Sequence, residues 1–189
     1  IVHRLDKDTS GVLVVAKNEV SQWHLAEQFK ARRTRKWYRA IVVGRPAQDK
    51  GRCEAPVGRH PTDRKRMSIH SRHGREALTL WTVVNRWDHW SELALEIKTG
   101  RTHQIRVHLA AMGYPVLGDE TYGPTIPGLQ KRGHWPGARP VKDFVHRQLL
   151  HAWRLEFTHP TLQERMVLTA PWPEDLVAVR RYLDAVGDG

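Results

Sequence analysis

The sequence predicts an α+β domain with a mixed, mainly antiparallel central sheet flanked by helices and loops. Seven short segments are typical of strands, because they are rich in β-branched residues or alternate between apolar and polar positions. Three other segments have apolar side chains at helical spacing, and the strands between them come mostly in consecutive groups. The 189 residues fit one domain with a sizeable core.

The first predicted strand, residues 12–16, is a short apolar run that we expect to be buried. It follows a polar turn at residues 3–11 that carries charges of both signs. Asp6 in this turn is well placed for chemistry, because the sheet would hold its carboxylate rigidly. The alternative is a structural role, in which Asp6 and Asp8 only make Asx-type hydrogen bonds within the turn.

Residues 19–33 are predicted to form an amphipathic helix with an apolar stripe at Val20, Trp23, Ala26 and Phe29. The end of this helix runs into residues 30–36, where five of seven side chains are basic. Such a run is usually a solvated helix end, and contact with phosphates is the functional alternative. A strand is predicted at 37–44, with Tyr38 near its start.

Residues 51–57 are predicted to form a short strand that leads into a basic loop. The loop spans residues 58–67 and contains one acid and four basic side chains, Arg59, Arg64, Lys65 and Arg66. Two further strands are predicted at 77–87 and 91–98, and the second alternates through Leu93, Leu95 and Ile97.

Residues 99–113 are predicted to be a turn that leads into a helix. Thr102 is the expected N-cap and Gly113 the expected residue after the helix end. We expect His103 and Arg106 to share a polar face, because they are three residues apart. The opposite stripe consists of Ile105, Leu109 and Met112.

Residues 119–148 have no periodicity and many glycines and prolines, which predicts a long loop. A loop of this length inside a compact domain is usually functional or mobile. A final strand pair is predicted at 149–157 and 165–169, and Pro173 is expected to open a closing helix. The apolar stripe of that helix would be Leu176, Val179 and Leu183.

The charge balance predicts a polyanionic partner. Thirty-one Lys and Arg against 20 Asp and Glu give a net charge of +11, which suits nucleic acid or an anionic membrane surface. No apolar run reaches the length of a membrane span. The single cysteine, Cys53, excludes an internal disulfide and fits a cytoplasmic setting. The chain begins without a methionine or leader, so we expect it to be part of a longer protein.

Several kinds of chemistry have no support in the sequence. There is no metal-binding motif, and His103 and His108 are five residues apart, which places them on different helix faces. Glycine-rich nucleotide loops are absent, and Ser10 does not lie in a nucleophile elbow. What remains is a carboxylate on a turn, a tyrosine, a helix-borne arginine and a basic surface. These suit nucleophilic or electrostatic catalysis on a nucleic acid.

Six motifs occur in order along nearly the whole chain. The longest motifs are His3-Arg4-Leu5-Asp6-Lys7-Asp8-Thr9-Ser10-Gly11 and Gly100-Arg101-Thr102-His103-Gln104-Ile105-Arg106-Val107-His108-Leu109. The shorter ones are Lys36-Trp37-Tyr38, Gly58-Arg59-His60-Pro61, Gly118-Asp119 with Tyr122-Gly123, and Leu150-His151-Ala152. These motifs resemble those of the RluA-type RNA pseudouridine synthases, nearest to the RluD-type members that modify large-subunit ribosomal RNA. The resemblance implies the pseudouridine synthase fold.

The resemblance implies a role for each of four residues. Asp6 would be the aspartate that attacks the target uridine, at either the base or the sugar. Tyr38 would pack on the uracil and take part in proton transfer. Arg106 would pair with Asp6, which favours the ionised carboxylate and orients it. Arg4 would fill the space that the flipped base leaves, since a stacked uridine is inaccessible.

The resemblance also implies the partners of the chain. RNA is the expected partner, most of all structured ribosomal RNA and alternatively transfer RNA, bound by a monomer without a cofactor or metal. The expected RNA contacts are Arg4, Arg59, Arg64, Lys65, Arg66, Arg101 and His103. Residues 1–189 would form the catalytic domain, without the N-terminal strand and S4-like domain that family members often carry.

Two functions from other classes remain as alternatives. A non-catalytic RNA-binding or ribosome-assembly module would explain the charge equally well, but it would not need Asp6. A metal-dependent nuclease would need clustered carboxylate or histidine ligands, which the sequence does not contain.

Overall fold

A computed structural model describes residues 1–124, 141 and 144–187. Within these residues the main sheet contains seven strands and is flanked by three helices. The strands of the sheet are β1 (Ser10–Gly11), β2 (Arg35–Val43), β3 (Lys50–Glu54), β6 (Leu78–Arg86), β7 (Trp90–Ile97), β8 (Leu150–Thr158) and β9 (Arg165–Thr169). A separate two-stranded ribbon consists of β4 (Gly58–Arg59) and β5 (Met67–Ser68). The helices are α1 (Glu19–Lys30), α2 (Gln104–Ala111) and α3 (Glu174–Gly187).

The sheet is mainly antiparallel, as predicted. Its order is β1-β8-β2-β7-β6-β3, and β9 pairs with the end of β8 that β1 leaves free. The parallel pair is β1 with β8, in which Ser10 aligns with His151. This one short parallel contact brings the N-terminal turn to the start of β8.

Both faces of the sheet are covered by helices. On one face, alternate side chains of β2 and β7 pack against α2, with Leu93, Leu95, Ile105 and Leu109 all buried. On the other face, α3 packs on Ile41 through the predicted stripe of Leu176, Val179 and Leu183, each at most 4% exposed. Full burial of one such side chain contributes about 1.5–3 kcal/mol.

Two of the predicted strands differ from the structure. Residues 12–16 lie outside the sheet ladder and are not a buried strand, because Leu13 and Val15 are 48% and 56% exposed. Their alternate neighbours Val12 and Val14 pack toward α1 and β8. The strand predicted at 51–57 is Lys50–Glu54 and ends before Pro56, which has no N–H to donate to a ladder.

Helix α1 is present, but only Phe29 of its predicted apolar stripe packs against the core. Val20 and Trp23 are 68% and 64% exposed, whereas Leu25 and Gln28 are buried. The helix is anchored by a polar contact, since the Gln28 side chain exchanges two hydrogen bonds with the backbone of Thr158. Apolar spacing alone did not reveal which face meets β8.

Helix α2 has no exposed polar face. Residues 104–109 are all buried, and the buried His108 and Gln104 side chains both bond to Thr79. The N-cap is His103 rather than Thr102, and its backbone is left-handed with φ 55° and no side-chain cap. Gly113 follows the helix end with φ 85°, as expected for a stop residue.

The other elements agree with the predictions or lie partly outside the described residues. The strands predicted at 37–44, 77–87, 91–98, 149–157 and 165–169 are confirmed to within two residues at each end. The loop predicted at 119–148 is described only at its two ends, and its central part lies outside the described residues. None of the described helices combines the length and apolar character that a bilayer crossing requires.

Replacing Gly11 should destabilise the protein strongly. Its φ of 124° is unfavourable for an L side chain, and an added Cβ would overlap the carbonyl oxygen of Ala152 on β8. Gly11→Ala should therefore lower the free energy of unfolding by at least about 2–3 kcal/mol. Gly113→Ala is the matched control, because Gly113 also has positive φ but nothing within 4 Å of an added Cβ. Equal losses in urea unfolding would contradict the proposed overlap at β8.

Candidate active site

A cleft of about 430 Å³ lies between the N-terminal segment, the end of α1, β2 and the turn before α2. Asp6 and Tyr38, which are 32 positions apart in the chain, both line it. Among the described residues, Asp6 is the one acidic side chain in the lining. The basic lining side chains are Arg4, Lys30, Arg32, Lys36, Arg75, Lys98 and Arg101.

The Asp6 turn is held from several sides. The Thr9 N–H donates to the Asp6 carbonyl oxygen over 3.0 Å, which closes the turn, and Asp8 takes a left-handed φ of 66°. The Gln148 side chain donates to the Lys7 carbonyl oxygen over 2.6 Å. The backbone and Gln148 therefore fix the turn and leave the Asp6 carboxylate free to face Arg106.

Arg147 connects this turn to the opposite side of the sheet. Its guanidinium donates to the Asp8 carbonyl oxygen over 2.9 Å and pairs with the Asp175 carboxylate over 2.6 Å at the start of α3. It also contacts the Ser10 hydroxyl, which bonds to Nδ1 of the buried His151 over 2.9 Å. Ser10 therefore helps to hold the Asp6 turn in place.

Arg106 is buried beneath the cleft and is not a helix-surface charge, since it is 6% exposed. Its Nε and Nη2 atoms donate to the two carboxylate oxygens of Asp119 over 2.7 and 2.8 Å. Its Nη1 atom lies 3.8 Å from Oδ2 of Asp6. Burial disfavours the charge of Arg106, but the hydrogen bonds and charge of Asp119, together with Asp6, raise its pKa. Arg106 therefore joins two carboxylates, and Asp119 holds it more closely.

The Tyr122 ring lies against the guanidinium of Arg106. The Arg106 guanidinium lies 5.1 Å and the Arg66 guanidinium 5.4 Å from the centre of the Tyr122 ring. The Tyr122 hydroxyl accepts from the Met67 N–H over 2.8 Å and lies 2.7 Å from Nδ1 of His103. A neutral His103 with its proton on Nε2 would accept the phenol proton at Nδ1, and the opposite tautomer would donate to the phenol oxygen. Burial lowers the pKa of His103, although the Asp6 charge opposes this shift.

Tyr38 is a neutral phenol at physiological pH. Burial, followed by the negative charge of Asp6, raises the pKa of its hydroxyl well above the ordinary value. The side chain remains in the lining of the cleft beside Asp6. It can present a ring face or donate a hydrogen bond, but an ionised phenolate is disfavoured there.

The predicted RNA-binding residues fall into three groups. Arg4 and Arg101 line the cleft, whereas Arg59, Arg64 and Lys65 belong to the exposed ribbon loop at 58–68, outside the cleft lining. The loop is partly rigid, because the Arg59 guanidinium donates to the Arg64 carbonyl oxygen over 3.0 Å. The remaining two, His103 and Arg66, are half-buried against Tyr122.

The sequence interpretation gives no individual role to three residues of this site. Asp119 and Tyr122 are parts of a motif without a role, and Lys36 is included only in the basic run at 30–36 and as a neighbour of Tyr38. The signal was present in Gly118-Asp119 and Tyr122-Gly123, but the partner of Asp119 is 13 positions away in the chain. In the described part of the chain, no three His, Cys, Asp or Glu side chains are grouped as metal ligands would be.

A sequence model of the RNA pseudouridylate synthase family matches residues 1–111, which include Asp6, Tyr38 and Arg106. The chain belongs to this family. Solved structures with the same fold include human RNA pseudouridylate synthase domain containing 1, with a TM-score of 0.73 and 30% identity over 97% of this chain and 79% of that one. Human RNA pseudouridylate synthase domain containing 4 gives a TM-score of 0.74 at 28% identity, over 97% and 75%. The pseudouridine synthase fold is therefore confirmed.

Curated relatives of the family are more similar in sequence. An uncharacterized RNA pseudouridine synthase of Chloroflexus aurantiacus is 44% identical over 183 residues, which cover 97% of this chain and 53% of the relative. The ribosomal large subunit pseudouridine synthase D of Nitrosomonas europaea is 42% identical over 179 residues, or 95% of this chain and 49% of the relative. The chain thus spans about half the length of these two relatives.

Removing the charge of Asp119 should destabilise the fold, because it leaves Arg106 buried without its closest counterion. We expect Asp119→Asn to lower the free energy of unfolding by about 3 kcal/mol, as for other broken buried ion pairs. Urea unfolding followed by circular dichroism measures this change. Glu120→Gln is the control, since it removes a charge from the exposed neighbouring side chain. Similar unfolding midpoints for the two variants would contradict the role of Asp119.

Proposed function

We propose that residues 1–189 form the catalytic domain of an RNA pseudouridine synthase in which Asp6 is the nucleophile. The observation that carries this proposal is the position of Asp6, whose carboxylate lies in a basic cleft 3.8 Å from the buried Arg106. Tyr38 lines the same cleft. Family membership supports the reaction, and the geometry supports these residues as the catalytic group.

The reaction exchanges one bond of uridine for another. The bond between uracil N1 and ribose C1′ breaks, the base turns, and C5 bonds to C1′. A proton leaves C5 and N1 gains one, so no electrons are gained or lost and no redox cofactor is required. Asp6 forms the transient covalent bond, at the sugar or at the base. Arg106 pairs with the Asp6 carboxylate and orients it, while Asp119 fixes Arg106.

Tyr38 is proposed to hold the uracil. Its ring can stack against the base, because aromatic faces bind bases of any sequence with roughly 1–3 kcal/mol each. The raised pKa of its hydroxyl favours a protonated phenol. Tyr38 would therefore donate a hydrogen bond or a proton, and it would not remove the C5 proton as a phenolate.

The target uridine must leave its base stack to reach Asp6. Arg4, an exposed side chain two positions before Asp6 that lines the cleft, is proposed to occupy the vacated space. Arg101 and His103 would contact the RNA backbone beside it, and His103 is held there by its contact with the Tyr122 hydroxyl. The exposed Arg59, Arg64 and Lys65 would contact RNA further from the target.

RNA is the proposed partner, and structured ribosomal RNA the proposed class. The net charge of +11 and the basic lining of the cleft favour a polyanion, and the name of the Nitrosomonas relative indicates the large ribosomal subunit. We further propose that the domain acts as a monomer in the cytoplasm, with transfer RNA as the alternative substrate. A non-catalytic RNA-binding module would use the same basic surface, but it would not require the Asp6–Arg106 pair.

Asp6→Asn should abolish pseudouridine formation and leave RNA binding nearly unchanged. An amide oxygen is a poor nucleophile, so we expect activity to fall at least about 1,000-fold. Tritium release from RNA labelled at uridine C5 measures turnover, and filter binding measures affinity. Asp8→Asn removes a charge from the same turn, at an exposed position where the left-handed backbone tolerates Asn, and should retain activity. An active Asp6→Asn enzyme would exclude Asp6 as the nucleophile.

The ribbon loop should contribute to RNA affinity through phosphate contacts. Because Arg66 packs on Tyr122, the informative variant replaces only the exposed Arg64 and Lys65 with Gln. If both contact phosphates, the slope of log affinity against log salt should decrease by about 1.4–1.8 in magnitude. Titration of a uridine-containing stem-loop RNA at several salt concentrations measures the slope. An unchanged slope would remove this loop from the RNA contact surface.

A further inference from the structure

Lys36 is a partly buried cation in the cleft that the proposed mechanism does not use. It lies on β2 and lines the cleft together with Tyr38. Its Nζ atom donates to the Thr99 carbonyl oxygen over a long 3.4 Å and lies 6.0 Å from the centre of the Phe29 ring. Among the described residues, no carboxylate forms an ion pair with it. A buried charge without a counterion is costly unless something outside the fold compensates it.

The surroundings of Lys36 increase the local positive charge. Arg101, from the turn before α2, and Arg32, which follows α1, both repel it. Arg32 is neutralised, because both of its terminal nitrogens bond to the Glu76 carboxylate over 3.3 Å. Arg101 bonds through Nε only to the Glu76 carbonyl oxygen, over 3.0 Å, so its charge is not cancelled by that contact. Lys36 and Arg101 are thus two cations that share one wall of the cleft.

The backbone leaves room for a ligand beside Lys36. Gly100 lies next to it in the cleft wall, and a Cβ added to Gly100 would be 3.6 Å from the Lys36 Nζ atom. Apart from the residues that flank Gly100 in the chain, nothing else lies within 4 Å of that added Cβ. An anion can therefore approach the ammonium group over the bare backbone of Gly100.

Strand geometry connects this place to the base-binding position. Lys36 and Tyr38 are two residues apart on β2, so their side chains point to the same face of the sheet, about 6.6 Å apart along the strand. If Tyr38 holds the uracil, Lys36 lies where the sugar–phosphate backbone of the same or the neighbouring nucleotide can reach. Lysine suits a phosphate as a point charge, and arginine can add a forked contact.

We propose that Lys36 and Arg101, beside Gly100, form a binding site for one phosphate group of the RNA backbone at the wall of the cleft. This inference rests on the proposed function and adds a residue and a ligand group to it. A bound phosphate would pair with the charge of Lys36, which has no carboxylate partner among the described residues. The same charge, when the site is empty, lowers the stability of the folded domain.

The titration of Lys36 gives this site a pH signature. Burial, then the charges of Arg101 and Arg32, lower the pKa of Lys36 to about 8. The facing His3 is neutral in this range, because burial and the charge of Lys36 lower its pKa to about 4, and Asp6 lies across the same cleft. Since a phosphate binds the charged form, RNA affinity should fall as pH rises above 8. The lowered pKa also means that the unfolded chain binds more protons, so stability should rise between about pH 8 and 10.4.

The main experiment measures binding of a uridine-containing stem-loop RNA to three variants. In Lys36→Met, the charge is lost and the apolar stem is kept, so the salt slope should decrease by about 0.7–0.9 in magnitude. Lys36→Arg retains a charge that does not titrate. Above pH 8, the RNA affinity of this variant should therefore stay constant, whereas that of the wild type should fall up to about tenfold per pH unit. Lys50→Met, an exposed lysine on β3 outside the cleft lining, is the control and should match the wild type. Lys36→Met with the salt slope and pH profile of the wild type would overturn the proposal.

Thermal unfolding without RNA tests whether Lys36 instead has a structural role in the fold. Lys36→Met should raise Tm at pH 7, and its advantage over the wild type should disappear near pH 10. A lower Tm at pH 7 would mean that Lys36 stabilises the fold, which would also overturn the proposal. If wild-type protein binds RNA in a Lys36-dependent way but forms no pseudouridine, the proposed function fails while the phosphate site stands.

Discussion

The site depends on one buried guanidinium. Arg106 is held by both oxygens of Asp119, and from that position it reaches the carboxylate of Asp6. A buried ion pair contributes little net stability, because desolvation offsets most of the attraction. Its value here is geometric, since the backbone N–H groups of Thr121 and Tyr122 also bind Asp119 and fix the direction of the pair.

A second constraint is that the nucleophile candidate lies on a turn and not on a long strand. Ser10–Gly11 supplies only two residues to the sheet, so the turn needs other support. Arg147 and Gln148, which directly precede β8, provide it from the backbone side. Asp175 in turn holds Arg147, and this couples the turn to α3 across the sheet. The position of Asp6 therefore depends on segments from both ends of the chain.

The charges that line the cleft favour binding of a polyanion at the expense of the stability of the free protein. Seven basic side chains of the described lining surround one carboxylate. Burial, and then repulsion by Arg101 and Arg32, lower the pKa of Lys36. Such a cluster is unfavourable in the free protein and favourable once a polyanion occupies it. The neutral Tyr38 lines the same cleft, where an aromatic ring can bind a base without adding charge.

Sequence by itself determined the local features of this protein. Alternating apolar positions predicted β7, and short strand-like segments predicted β2, β6 and β8, because these patterns lie within a single segment of the chain. Family motifs singled out Asp6, Tyr38 and Arg106. Tertiary structure alone decided which surfaces meet. In the folded protein Trp23 is exposed and residues 12–16 lie outside the sheet ladder. Arg106 pairs most closely with Asp119, and Lys36 has no carboxylate partner among the described residues. These outcomes follow from contacts between distant segments, and no periodicity along the chain specifies which charges those contacts will bring together.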